Sequence, residues 1–121
     1  MSRPFPLATL MNLAEHDNES ATRKLGLLNQ QQQSVQQQLD TLLEFRRNYQ
    51  AQMQDGVRGG MSPVELRNFQ ELIYKLDEAI AQQRKQLEKS QASTQLGRDE
   101  FDNTRRKLKS LDTLRQRHVE T

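Results

Sequence analysis

Residues 55–65 constrain this chain more than any other part of it. Asp55-Gly56-Val57-Arg58-Gly59-Gly60-Met61 puts three glycines within five positions, and Ser62-Pro63-Val64-Glu65 follows directly. Glycines this dense break a helix, because each loses more conformational freedom on ordering than any other residue. Ser at an N-cap, Pro at the first helical position and Glu at the third form a capping box, which opens a new helix. The long stretches on either side are almost free of helix breakers. Upstream, from Leu7, only Gly26 interrupts; downstream only Gly97 does. Two long helices joined by a short loop satisfy this punctuation, and a short loop makes them antiparallel neighbours.

The apolar spacing supports the same architecture. In the second helix, alternating steps of three and four run through Leu66, Phe69, Ile73, Leu76, Ile80, Gln83, Leu87, Ser90, Thr94, Gly97, Phe101, Thr104, Leu108, Leu111, Arg115 and His118. In the first they run through Leu25, Leu28, Gln32, Val35, Leu39, Leu42, Arg46, Tyr49 and Met53, and upstream through Leu7, Leu10, Ala14, Asp17 and Ala21. Joining these two sets takes two consecutive steps of four, a stutter that locally unwinds a supercoil. A period near 3.5 sustained this long predicts a left-handed coiled coil. The predicted fold is all-α: one coiled-coil hairpin domain over 1–121, with helices at about 7–54 and 63–118 and a loop at about 55–62. Folding about Gly59 pairs Tyr49 with Phe69, Leu42 with Leu76, Leu28 with Ser90, Ala21 with Gly97 and Leu10 with Leu108. The expected hairpin is on the order of 75 Å long at ~1.5 Å per residue. Its ends are apolar. Its middle, with Gln32, Ser90, Thr94, Gly97 and Ala21, is a weaker waist that should open or bend locally.

Composition agrees with an object that buries only a narrow stripe. Of 121 residues, 33% are hydrophobic and 5% aromatic, less than a compact globule of this size needs. With no Cys, disulfides and thiolate metal sites are excluded. Pro4 and Pro6 mark a short non-helical start. Met1–Leu13 lacks the apolar run of a signal peptide, and no segment approaches the ~20 apolar residues of a membrane span. These features lead to the expectation of a cytosolic protein. The net charge of +2 is too small to imply nucleic acid.

Few residue groups suggest chemistry. His16 and His118 have no second ligand at metal spacing and read as surface residues. Ser, His and Asp are present, but two paired helices offer no concavity to assemble them, so catalysis and cofactors are not expected. The glutamines at 30–33 and 36–38 read as a solvated helix face rather than an aggregation-prone tract. Near the C-terminus, Arg105, Arg106, Lys107, Lys109, Arg115 and Arg117 are opposed locally only by Asp112. They read equally as a surface for an acidic partner or a nucleic acid and as a solvated helix end where cations are favoured. Only Phe101 offers an aromatic ring near them, so base stacking has little support. Nearer the loop, Phe45, Leu72 and Ala79 each stand one position before a seam residue. With Leu42, Tyr49, Leu76 and Gln83 they widen the apolar stripe beyond what two helices can bury between themselves. The excess reads as a partner-binding face or a homodimer contact.

Asn68-Phe69-Gln70, followed by Leu72-Ile73, Leu76, Ala79-Ile80 and Gln83, resembles the start of the second helix in the flagellar export protein FliJ family. Leu7 to Leu10 with Leu13-Ala14-Glu15 is similar to that family's N-terminal start, and Leu39, Leu42, Phe45 and Tyr49 match its first-helix pattern. The resemblance covers nearly the whole chain. It implies a non-enzymatic component of the flagellar type III export apparatus, cytoplasmic and peripheral to the flagellar basal body, without cofactor, nucleic acid or membrane insertion. The family is similar to the coiled coil of the rotary ATP synthase gamma subunit. The resemblance implies insertion into the hexameric export ATPase FliI, contact with the cytoplasmic domain of the export gate protein FlhA, and handling of export chaperones. The implied gate surface is Gln38, Leu42, Phe45, Tyr49, Leu72, Leu76, Ala79 and Gln83. The implied ATPase or chaperone surface is the basic segment from Arg105 to Arg117. Family members more often carry Tyr at the position of Phe45 and Phe at that of Leu72, so the patch here is less aromatic. The equivalent stalk of a virulence secretion system shares this architecture, and a coiled-coil homodimeric adaptor is the remaining alternative.

Overall fold

The computed structural model describes residues 6–120, with side chains through His118. Pro4 lies outside the described residues; Pro6 precedes the first helix, and its carbonyl accepts the amides of Thr9 and Leu10. Two helices follow, α1 (Leu7–Arg58) and α2 (Pro63–Glu120). They pack against each other as an antiparallel hairpin, and the described residues contain no strand. This is the all-α fold predicted from the spacing.

The turn is shorter than the glycines suggest. Their density places the end of α1 near residue 54, but the helix continues to Arg58, with Gly56 inside it. Only Gly60 adopts a left-handed backbone, at φ 89°. The Met61 amide donates to the Gly56 carbonyl at 2.9 Å and the Gly60 amide to the Val57 carbonyl at 3.4 Å. This is a Schellman closure, which satisfies carbonyls that a helix end would otherwise leave open. Met61 also lies directly over Gly56, where any Cβ would collide with its Cε. The loop is therefore Gly59–Ser62. α2 opens where the capping box predicts: the Glu65 amide donates to Ser62 Oγ at 3.2 Å. Because α1 runs a turn longer, most facing residues shift by about one helical turn from the expected pairing. Gly97, expected opposite Ala21, instead faces Leu25 and Leu28.

Contacts divide the hairpin into two compact units. Unit one comprises residues up to Gln30 with those from Ala92 onward, and unit two comprises Gln31–Gln91. In unit two the most buried side chains are Leu39, Ile73 and Ile80. Leu42, Tyr49, Met53, Leu66, Phe69, Leu76 and Leu87 are half-buried around them, all at predicted seam positions. Burying a side chain such as Ile80 stabilises by about 1.5–3 kcal/mol. The polar seam residue Gln83 donates its amide to the Val35 carbonyl at 3.1 Å and to Gln38 Oε1 at 2.9 Å. Arg46, also in the seam, turns outward to Asp77.

In unit one the core is Met11, Ala14, Ala21, Thr94 and Gly97. Two expected seam residues are displaced here. Leu10 is 36% exposed and Asp17 is exposed, while Met11 is only 8% exposed and Asn18 is half-buried. The seam of α1 thus runs 7, 11, 14, 18, 21, 25, 28 in unbroken steps of four and three, and the expected stutter is absent. Met is unbranched and adapts to an irregular gap as well as Leu does. Asn18 is admitted because its side-chain amide donates to Thr104 Oγ1 at 3.1 Å. Thr94 likewise donates to the Leu28 carbonyl at 3.4 Å. The middle positions are small because the helices approach closely: a Cβ on Gly97 would stand 2.5 Å from Leu28 Cδ1. The α2 seam fades after Leu111, and Arg115 and His118 are exposed rather than in the seam.

Candidate partner-binding surfaces

All eight residues expected to form the gate surface fall within unit two. Gln38 and Phe45 are seven residues apart, each one position before a seam residue. Leu72 and Ala79 stand in the same relation on α2. A seven-residue step returns to the same helix face, so each pair forms a short row along one flank of the seam. Gln83, four residues after Ala79 and so beside it on α2, donates to Gln38 Oε1 at 2.9 Å, which sets the two rows on the same side of the seam. Phe45 is 50% exposed, Gln38 is exposed, and Leu42, Tyr49, Leu72, Leu76, Ala79 and Gln83 are half-buried. Shallow depressions flank the strip, one beside Ser34, Thr41 and Leu42, the other beside Asn68, Phe69 and Leu72.

The other side of the same seam is different. Residues one position after the seam include Leu43, half-buried, and Asp77. The Arg46 guanidinium donates to both oxygens of the Asp77 carboxylate. That hydrogen bond holds the Asp77 carboxyl below its ordinary range and raises Arg46 above its own. One flank is therefore closed by an ion pair. The other carries no charge along its rows from Gln38 to Phe45 or from Leu72 to Ala79, with Glu65 only at its loop end, and has an accessible aromatic ring. An apolar strip with a half-exposed aromatic anchor suits protein recognition.

The six basic residues of the C-terminal segment are all exposed. Arg115 donates to Asp112 at 2.7 Å and borders a shallow depression with Leu7, Met11 and Glu15. Arg105, Arg106, Lys107 and Lys109 surround Leu108, which is half-buried. Exposed Glu15, Asp17 and Glu19 on α1 temper the basic field of this segment. The sequence of α2 alone does not reveal them, because the antiparallel partner brings its acids to the same level. Nor does a seam read for apolarity alone reveal the Asn18–Thr104 pair. His16 and His118 are exposed, and the described residues hold no cluster of His, Asp and Glu suited to a metal ion. No helix among them is long and apolar enough to cross a membrane.

Two long helices packed as an antiparallel hairpin along a heptad-spaced seam define a class of coiled-coil proteins. Comparison with known proteins narrows that class. The family model described as Flagellar FliJ protein matches residues 2–121. The Flagellar FliJ protein of Escherichia coli (strain K12) is 29% identical over 117 residues, covering 97% of this chain and 80% of that protein. That of Salmonella typhi is 27% identical over 119 residues, covering 98% of this chain and 81% of the relative. The chain belongs to the flagellar FliJ family, a component of flagellar type III export.

Proposed function

We propose that this chain is a non-enzymatic coupling stalk of the flagellar export apparatus, working in the cytoplasm at the base of the flagellum. Unit two binds the cytoplasmic domain of the export gate protein FlhA through Gln38, Leu42, Phe45, Tyr49, Leu72, Leu76, Ala79 and Gln83. Unit one engages the ring of the export ATPase FliI, and its basic surface of Arg105, Arg106, Lys107, Lys109, Arg115 and Arg117 faces that ring or an export chaperone. The observation that carries the gate assignment is the asymmetry of unit two. Its apolar flank exposes half of Phe45, and its other flank is closed by Arg46 and Asp77.

The test is a pull-down of purified export ATPase and gate cytoplasmic domain by the wild-type chain and by a Phe45→Ala/Leu72→Ala variant. A few large side chains near the centre of an interface carry most of its energy and cost more than about 1 kcal/mol each when truncated. A variant that removes both Phe45 and Leu72 from this strip is therefore expected to lose gate binding by roughly tenfold or more. ATPase binding is expected to be unchanged. A variant that retains full gate affinity removes the assignment of this surface. Failure of the wild type to bind either partner removes the coupling role.

A further inference from the structure

The exposed apolar side chains of unit one are not scattered. Leu10, Leu13, Leu27, Leu96 and Leu114 are between 36% and 71% exposed, and they are all the exposed large hydrophobics among the described residues of this unit. The Lys24–Glu100 ion pair, 3.2 Å across the two helices, fixes which side they occupy. Steps of seven from Lys24 toward the N-terminus reach Asp17 and then Leu10. Steps of seven from Glu100 toward the C-terminus reach Lys107 and then Leu114. Such steps keep to one face, so Lys24 with Glu100, Asp17 with Lys107, and Leu10 with Leu114 form successive rungs on one side of the hairpin. Leu13 and Leu27 stand three residues after Leu10 and Lys24, and Leu96 stands four before Glu100. Neighbours at these spacings share a helix face. All five leucines therefore lie on this side. The opposite side, with Glu15, Glu19, Arg98, Arg105 and Asp112, has none.

The charges on this face follow a rule. Between Leu10 and Leu27 on α1, and between Leu96 and Leu114 on α2, each charge on one helix stands level with its opposite on the other. We propose that this face binds a second copy of the chain, forming a twofold dimer whose axis runs along the helices of unit one. Rotation about that axis sets α1 of one copy against α2 of the other at the same level. Leu27 then meets Leu96 of the second copy, and Lys24 meets its Glu100. Asp17 meets its Lys107, which the dimer then withholds from the ATPase ring or chaperone, and Leu10 meets its Leu114. A patch that presents the complement of its own charges fits itself, as a twofold interface requires. An unrelated acidic or basic partner would meet a like charge at one end of each charged rung. Five half-exposed leucines supply a few hundred Å² of apolar surface, the size of the largest patch on a typical monomer. A stable interface buries about 800 Å² per partner, so the intervening polar rungs must join and the dimer is concentration-dependent.

Sedimentation velocity over a concentration series reads this directly, with circular dichroism to verify that each variant is helical. The wild type is expected to pass from monomer to dimer as concentration rises, and Leu27→Ser/Leu96→Ser to remain monomeric with unchanged helicity. Lys24→Glu and Glu100→Lys each place like charges across the twofold, and each is expected to weaken its own dimer roughly tenfold. An equimolar mixture of these two variants restores opposite charges between copies while leaving the pair within each chain repulsive. It is expected to associate as tightly as the wild type. A wild type that stays monomeric at its highest soluble concentration overturns the proposal. A mixture no tighter than either variant alone overturns it too.

Discussion

Two helical glycines in unit one support matched substitutions with opposite expected signs. Gly26 is exposed on α1, and a Cβ built there meets nothing within 4 Å. Alanine at such a site restricts the unfolded chain and suits a helix better, gaining about 0.4–1 kcal/mol. Gly26→Ala is expected to stabilise by that amount. Gly97 is helical too and gains the same from its backbone, but its new Cβ would stand 2.5 Å from Leu28 Cδ1 and 3.8 Å from Leu25 Cδ1. Leu28 must then leave its rotamer or the helices must separate, at a cost of about 1–3 kcal/mol. Gly97→Ala is expected to be neutral to destabilising by about 2 kcal/mol once the backbone gain is subtracted. Urea unfolding followed by helical ellipticity measures both. A third variant separates packing from propensity. In a Leu28→Ala background the obstruction is gone, and Gly97→Ala is expected to recover the gain seen at Gly26, a coupling of about 1 kcal/mol or more between positions 28 and 97. If Gly97→Ala stabilises the wild type as much as Gly26→Ala does, the close approach at Leu28 does not exist and the reasoning fails.

Three further outcomes follow from the turn and the ion pair. Gly60→Ala forces a side chain onto a backbone at φ 89° and is expected to destabilise by about 1–3 kcal/mol, measured by thermal unfolding. Ser62→Ala removes the acceptor of the Glu65 amide and is expected to cost about 0.5–2 kcal/mol in the same assay. The Asp77 carboxyl is depressed by Arg46, so its contribution is present above the ordinary carboxyl range and is lost as pH falls through the lowered value. The stability gap between the wild type and Asp77→Asn is therefore expected to close on acidification below about pH 4, and to shrink in ~1 M salt because the pair is exposed. A gap that is unchanged in both conditions would show that Asp77 acts through packing instead.

Sequence patterning reaches the fold through two features: the spacing of the α2 seam and the cap at Ser62. Every predicted α2 seam position from Leu66 to Leu111 is at least half-buried. The departures have a common origin, which is one residue property taken as decisive. Hydrophobicity favours Leu10 over Met11, yet an unbroken period matters more than the identity of one apolar residue, and that preference creates the stutter. Gly56 reads as a breaker, although a glycine near a helix end can stay helical when the next turn satisfies its carbonyl. That reading moves the fold axis and most of the facing pairs. The rows containing Phe45 and Leu72 are legible because they adjoin the seam. The leucine face of unit one is not, because it emerges only when both helices are set at their true levels. Lys24 and Glu100 are 76 residues apart in the chain, and nothing local links them.

The turn at Gly59–Ser62 also sets how strongly the two helices hold each other. Separate helices with so small an apolar seam would have to meet by diffusion. A four-residue tether converts that encounter into an intramolecular one, at an effective concentration in the millimolar range. Each level of the seam then closes only a small additional loop once the level nearer the turn has formed. The 86-residue separation between Asn18 and Thr104 is thus bridged in short increments rather than in one step. Cleavage of the backbone between Gly59 and Gly60 would remove no contact from the seam, yet it would make pairing depend on the concentration of the fragments.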